Sequence, residues 1–178
     1  MKKILIVIAV FSGFNCFSQK SFNYNFTINT TFTTNENFGE YDEDLESRDW
    51  SPIAPNAILF RNGVDIDIND LVSFGFNLGL DWHPDLNVLA MPYYFETKFN
   101  LVKSYDDKFY INGGLGKLLK IGNSFERGNY YKFGIGYHIS TEKSHSFILN
   151  MDFHQKKIVH FENGRLNSLS LGFGMLFL

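Results

Sequence analysis

The residues with the most reactive chemistry in this 178-residue chain are His138, Ser140 and Glu142, set two apart as His-Ile-Ser-Thr-Glu. A serine hydroxyl becomes a nucleophile when a histidine lies within hydrogen-bond reach and an acid orients that histidine. The trio is therefore a weak candidate for ester hydrolysis. Alternation places His138 on the polar face of a strand, and Ser140 opens the turn after it, so the two do not share a wall. A second string, Asp65-x-Asp67-x-Asn69, opens like a calcium-binding loop. It then carries Asp70 where that loop needs glycine and Phe76 where it needs a glutamate, so no metal site is expected. Asn25-Phe26-Thr27 and Asn29-Thr30-Thr31 match glycosylation acceptors but sit in mid-strand. No cofactor motif is present.

A larger set of charged residues shares a different property. Arg61, Asp65, Asp81, Glu96, Lys98, Lys132, His138, Asp152 and His154 all fall on the polar face of alternating segments. Charges removed from water must be paired. With both histidines counted as cations, five face four acids, and a network of ion pairs filling an enclosed space is the expectation.

The elements that must position these residues read as strands. Eight segments of about ten residues alternate apolar and polar, the pattern of a membrane barrel strand. The clearest runs from Phe22 through Tyr24, Phe26, Ile28, Thr30 and Phe32, with Asn23, Asn25, Thr27, Asn29 and Thr31 between them. The others lie at 57–66, 72–82, 88–101, 108–118, 129–139, 145–155 and 168–177. Connections after the second, fourth and sixth strands are short. Those after the first, fifth and seventh are longer, and the one near 83–87 is brief. Short turns at one end and long loops at the other fit an even-stranded up-and-down barrel with periplasmic turns, external loops and both termini on the periplasmic side. Pro92 interrupts the fourth strand, where a bulge or a place near the outer rim is expected.

Volume decides which face points inward. Twenty Phe, nine Tyr and two Trp lie mostly on the apolar faces, giving about five large groups per strand. The interior of an eight-stranded barrel holds side chains or one small ligand. The apolar faces do not fit there, whereas faces rich in Gly, Ser, Asn and Thr do. The apolar faces therefore point outward, which only lipid tolerates. Tyr24, Trp82, Tyr93, Tyr110 and Tyr131, near strand ends, are expected to form interface girdles.

Residues 1–18 read as a signal peptide: Lys2 and Lys3, the apolar run Ile4–Phe11, then small residues with cleavage after Ser18. Lipidation at Cys16 is the rival reading. Residues 19–178 then form one barrel domain. Losing Lys2 and Lys3 leaves fourteen basic against nineteen acidic residues, which argues against a nucleic-acid partner. The mature chain has no cysteine and so no disulfide. Glu36, Glu40, Asp42, Glu43, Asp44, Glu46 and Asp49 make the first long loop acidic. It is read as solvated, with divalent-cation or basic-partner binding as the alternative. Lys156, Lys157, His160 and Arg165 are read as a basic set in the last loop, placed to contact lipid phosphates or the acidic loop.

Through this strand pattern and the final strand Ser168–Leu178, the mature chain resembles the small eight-stranded outer-membrane barrels of the OmpA/OmpX type. It departs from them in ending on Leu178 after Phe177. The resemblance implies a Gram-negative outer membrane, insertion by the assembly machinery through the C-terminal strand, contact with lipopolysaccharide, and a monomer. It carries no catalytic residues over. The expected function is a non-enzymatic integral membrane protein, structural or interacting through its loops. Two alternatives stand beside it. One is a lipid A-modifying hydrolase of the barrel wall, since some outer-membrane deacylases carry a His-x-Ser pair. The other is a narrow, porin-like channel or carrier for small solutes.

Overall fold

The computed structural model describes residues 22–34, 41–42, 47–48, 53–84, 88–104, 107–121, 125, 127–141, 145–158 and 164–177. The expected signal segment, Glu142, His160 and the acidic residues of the first loop other than Asp42 lie outside them. The described chain is all β. Strands β1 (Phe22–Thr34), β4 (Ile53–Asp67), β5 (Val72–His83), β6 (Val88–Ser104), β7 (Asp107–Leu119), β8 (Gly128–Ile139), β9 (His145–Ile158) and β10 (Leu166–Phe177) close into one barrel. The short β2 (Tyr41–Asp42) and β3 (Ser47–Arg48) pair with each other inside the first long connection.

Every barrel strand is antiparallel to its sequence neighbour, and β1 closes the ring on β10, from Tyr24 opposite Phe177 to Phe32 opposite Leu169. Closure matters because hydrocarbon offers no partner for a backbone N–H or C=O, so no edge can be left open. The eight expected strands are all present, most of them longer at their rims. The most consequential extension is β9, which runs on from Gln155 to Ile158.

Alternation sorts the side chains as the volume argument requires. Along β5, Ser73, Gly75, Asn77, Gly79, Asp81 and His83 face the lumen, while Phe74, Phe76, Leu78, Leu80 and Trp82 are exposed. The same sorting puts Phe26 and Ile28 of β1, Phe133 of β8, Phe153 of β9 and Phe173 of β10 outside. Such an apolar belt is stable only against lipid.

Two irregularities adjust the ladders. The register of β1 on β4 shifts between Thr31 and Phe32, where Asn56 is the extra residue before Pro55. That of β6 on β7 shifts between Asn100 and Val102, with Leu101 extra. No bulge forms at Pro92. It pairs with Leu118 of β7, while on the β5 side pairing lapses opposite Gly79 and Leu80 and resumes at Asp81–Ala90 in the same register. A proline lacks the N–H the ladder needs. Its place, five residues into β6 from the loop end, keeps the gap toward that rim.

A charge placed on the belt should oppose insertion. We expect Leu78→Lys to lose about 2–4 kcal/mol of folding free energy in lipid, read as a smaller fraction of heat-modifiable barrel in a urea titration of protein refolded into vesicles. Leu78→Phe, which keeps the wall apolar at the same position, should change it far less.

Candidate functional site

The inward faces meet in a lumen packed with side chains, and its charges fall into three linked groups. At the loop end, Arg61 of β4 pairs with Asp81 of β5, and the other Asp81 oxygen takes Lys156 of β9 at 2.8 Å. Lys156 also donates to His83 Nε2 at 2.8 Å, so His83 must accept there. In the middle, Lys132 of β8 bridges Glu96 of β6 at 2.8 Å and Asp152 of β9 at 3.1 Å. Asn77 donates to Glu96 Oε2, and Asn112 and Asn150 donate to Asp152. At the turn end, Lys98 pairs with Asp65 at 2.6 Å, and Asn25 donates to the same oxygen at 2.8 Å. Arg61, Lys98, Lys132 and Lys156 thus stand against Asp65, Asp81, Glu96 and Asp152, four of each sign.

That balance differs from the expected one. The sequence reading put Lys156 in the last loop, but β9 carries it inward, fully buried, with the parity of Asp152 and His154. With Lys156 inside, the acids are matched without a charged histidine. His154 instead belongs to a chain of hydrogen bonds. Arg61 Nη2 donates to the Tyr130 hydroxyl at 3.2 Å, which lies 2.5 Å from His154 Nδ1. His154 Nε2 is 2.7 Å from Ser170 Oγ, which donates to the Asp152 carbonyl. Because the serine's one proton goes to the Asp152 carbonyl, its oxygen accepts from Nε2, which carries the imidazole proton and leaves Nδ1 to accept from the tyrosine hydroxyl. This Ser–His contact is completely buried, and its proton points the wrong way for a base.

Of the other nominated residues, His138 faces the lumen near the end of β8 and helps line a turn-end cavity of about 60 Å³ with Asp65, Asp67, Lys98, Lys108 and Tyr110. That is space for about two waters. Ser140 follows the strand, with its N–H donating to Asp107 Oδ1 at 2.8 Å, and Glu142 lies outside the described residues. The calcium-like string splits three ways: Asp65 holds Lys98, Asp67 accepts from Ser73 at 2.5 Å, and Asn69 Oδ1 caps the N–H groups of Leu71 and Val72. Among the described residues no group of three or more His, Cys, Asp or Glu is placed to hold a metal ion.

The girdle residues divide as well. Tyr24, Trp82, Tyr93 and Tyr131 are on the outer wall. Tyr24 accepts from Asn62 at 2.7 Å, and Lys157 sits 5.1 Å over the Tyr131 ring. Tyr110 does not belong with them. It is buried in the lumen under Lys98, because its neighbour across the ladder is Gly136, whose missing side chain leaves room for the ring. Tyr94 and Tyr130 are inside too, their rings 4.9 Å apart. With Val88, Ala90, Leu118 and Ile158 they make an apolar cluster across the loop end of the lumen. Extending the alternation of β5 and β9 by one residue would have found His83 and Lys156, and parity with Lys132 within 129–139 points Tyr130 inward. Residue type does not mark this apolar cluster, since its types match those of the outer wall, and only parity along each strand points it inward.

A closed eight-stranded up-and-down barrel with an apolar exterior and an ion-paired lumen is a transmembrane β-barrel fold. Among solved structures the chain is similar to Neisserial surface protein A, with 11% identity over 90% of this chain and 99% of that one and a TM-score of 0.62. It is also similar to the N-terminal β-barrel domain of Pseudomonas aeruginosa OprF, with 10% identity over 89% and 98% and a TM-score of 0.53. Both are small eight-stranded outer-membrane barrels, and the likeness is one of fold. No protein-family model matches the chain, and no curated protein matches it in sequence.

Removing one member of the central group should be costly. Lys132→Met leaves Glu96 and Asp152 without their shared cation, and we expect a loss of about 3–5 kcal/mol, measured by urea unfolding in lipid vesicles. Tyr130→Phe keeps the ring packing but breaks the link from Arg61 to His154, and should cost about 1–3 kcal/mol in the same assay.

Proposed function

We propose that this chain is a non-enzymatic integral protein of a bacterial outer membrane, a monomer whose lumen is a plug of paired side chains and whose contacts are made through its loops and its lipid-facing wall. The observation that carries this reading is the pairing of an apolar exterior with a lumen whose buried charges balance. The exterior requires lipid. The interior is spent on internal pairs and leaves cavities of about 60 and 20 Å³, sized for one or two waters each.

The same features weigh against a conducting pore, because ions would have to cross both the Glu96–Lys132–Asp152 group and the apolar cluster at the loop end. Hydrolysis is disfavoured because the Ser–His hydrogen bond between Ser170 and His154 is sealed from substrate. The final strand, with Leu169, Leu171, Phe173, Met175 and Phe177 outward, suits recognition by an outer-membrane assembly machinery. Lipopolysaccharide is the expected lipid partner.

Cell fractionation tests the reading. We expect recovery in the outer membrane, a folded band whose gel mobility shifts on boiling, and no discrete conductance in planar bilayers. Recovery as a soluble periplasmic protein would overturn it, and steady single-channel steps would replace the plug with a pore.

A further inference from the structure

We infer that the outer wall of β7, β8 and β9 is a docking surface for one molecule of lipid A, the phosphorylated and acylated anchor of lipopolysaccharide, with a phosphate at the loop-end rim and an acyl chain running down the wall. This rests on the membrane location proposed above and names a site within it. Two separate features of the same three strands support it.

The first is charge. Of the described strand side chains, Lys117 and Lys157 are the cations on the outward faces, and both lie at the loop end. They are joined by the ladder: Tyr93 is opposite Lys117, Lys117 opposite Asn129, and Asn129 opposite Lys157. Two strand spacings set the lysines roughly 10 Å apart, within reach of one headgroup. Exposed Lys120 and Arg127 follow just beyond the rim. Among the described residues no acid shares that part of the wall, whereas the turn end carries Asp107 on its outer face and exposed Asp70 in its turn. Tyr131 underlies Lys157 and holds it at the level where aromatic rings meet headgroups.

The second feature is shape. Below the lysines the wall has a notch and then a groove. Gly113 faces outward with open space where a side chain would stand, beside Phe133. Beyond it an apolar hollow of about 370 Å³ is lined by Ile135, Tyr137, Leu149, Met151 and Leu171. Lys117 and Ile111, the latter in register with Ile135, are six residues apart, about 20 Å along the strand. With a strand tilt near 40° this is a depth of roughly 15 Å, or one leaflet. An acyl chain hanging from a phosphate on Lys117 and Lys157 would cross the bare surface at Gly113 and end in the hollow.

The test uses the full chain in phosphatidylcholine nanodiscs, titrated with bisphosphorylated hexa-acyl lipid A. The double variant Lys117→Gln/Lys157→Gln should bind about twenty-five-fold more weakly, as expected for two headgroup contacts worth about fivefold each. Dephosphorylated lipid A should bind the unaltered protein as weakly as the variant binds the intact lipid. Gly113→Phe should weaken the acylated lipid but not its deacylated phosphosugar, and Lys117→Arg/Lys157→Arg should restore binding. Unchanged lipid A affinity in the glutamine variant overturns the inference, as does inorganic phosphate binding as tightly as the lipid. Both substituted sites face outward, so the boiling-induced gel shift checks that each variant is folded. Outer-membrane recovery with unchanged affinity would sink this site alone, whereas soluble recovery of the unaltered protein would sink the membrane reading itself.

Discussion

Closure of β1 on β10 is the pairing on which everything else in this molecule depends. An eight-stranded sheet left open in hydrocarbon would expose a row of unpaired N–H and C=O groups, each costing several kcal/mol. Once the ring closes, geometry fixes the rest. Eight strands enclose a lumen about one layer of side chains wide, so large apolar groups must go outside and whatever remains must fill the inside without voids. The lumen is therefore filled by pairing size against size. Gly79 lies against the Arg61 guanidinium, Gly134 against the Asp152 carboxylate and Gly136 against the Tyr110 ring, and a methyl group at any of the three would collide.

The charges follow from that filling. A long side chain such as Lys132 or Lys156 occupies lumen volume but brings a charge that must be matched where it lands. Lys132 is matched twice, by Glu96 and Asp152, and Asp81 likewise takes both Arg61 and Lys156. The sharing ties β4, β5, β6, β8 and β9 together across the lumen, adding transverse links to the ladders that run around the wall. Ion pairs of this kind contribute little net stability over a packed apolar core, yet they are costly to break singly. Breaking one contact therefore leaves a buried charge uncompensated, so the interior resists partial rearrangement.

The fold was legible in the sequence because period-two alternation is a property of the backbone and survives in every strand. The site was legible only where a strand's extent was. Arg61, Asp65, Asp81, Glu96, Lys98, Lys132, Asp152 and His154 could be assigned to the inner face from parity alone, and the structure places each of them there. Lys156 escapes this parity because Lys-Lys-Ile after Gln155 looks like the start of a loop, and a strand's end is set by its partners. Here the partner is Leu166, which pairs with Lys156 on β10. Tyr110 was misplaced for a related reason. A tyrosine near a strand end suits a girdle by type, but its face is set by parity and by the glycine across the ladder, and parity had already put it with Asn112.

The inside of the barrel is also not uniformly polar, which no count of polar residues would reveal. Val88, Ala90, Tyr94, Leu118, Tyr130 and Ile158 gather at the loop end, while Tyr110, Ile148 and Leu176 form a smaller group toward the turns. The Arg61–Asp81–Lys156 and Glu96–Lys132–Asp152 groups are thus shielded from the loop-end mouth, while Lys98 and Asp65 line the turn-end cavity. Shielding strengthens each ion pair, since a pair in low dielectric is screened far less than one in water. It also raises the cost of opening from the loop end, because a path for solvent there would have to displace the apolar cluster before reaching the buried charges. A barrel this narrow can therefore vary its loops and its lipid-facing wall freely, while its interior is held by packing and charge at once, and new contacts would be gained on the outside first.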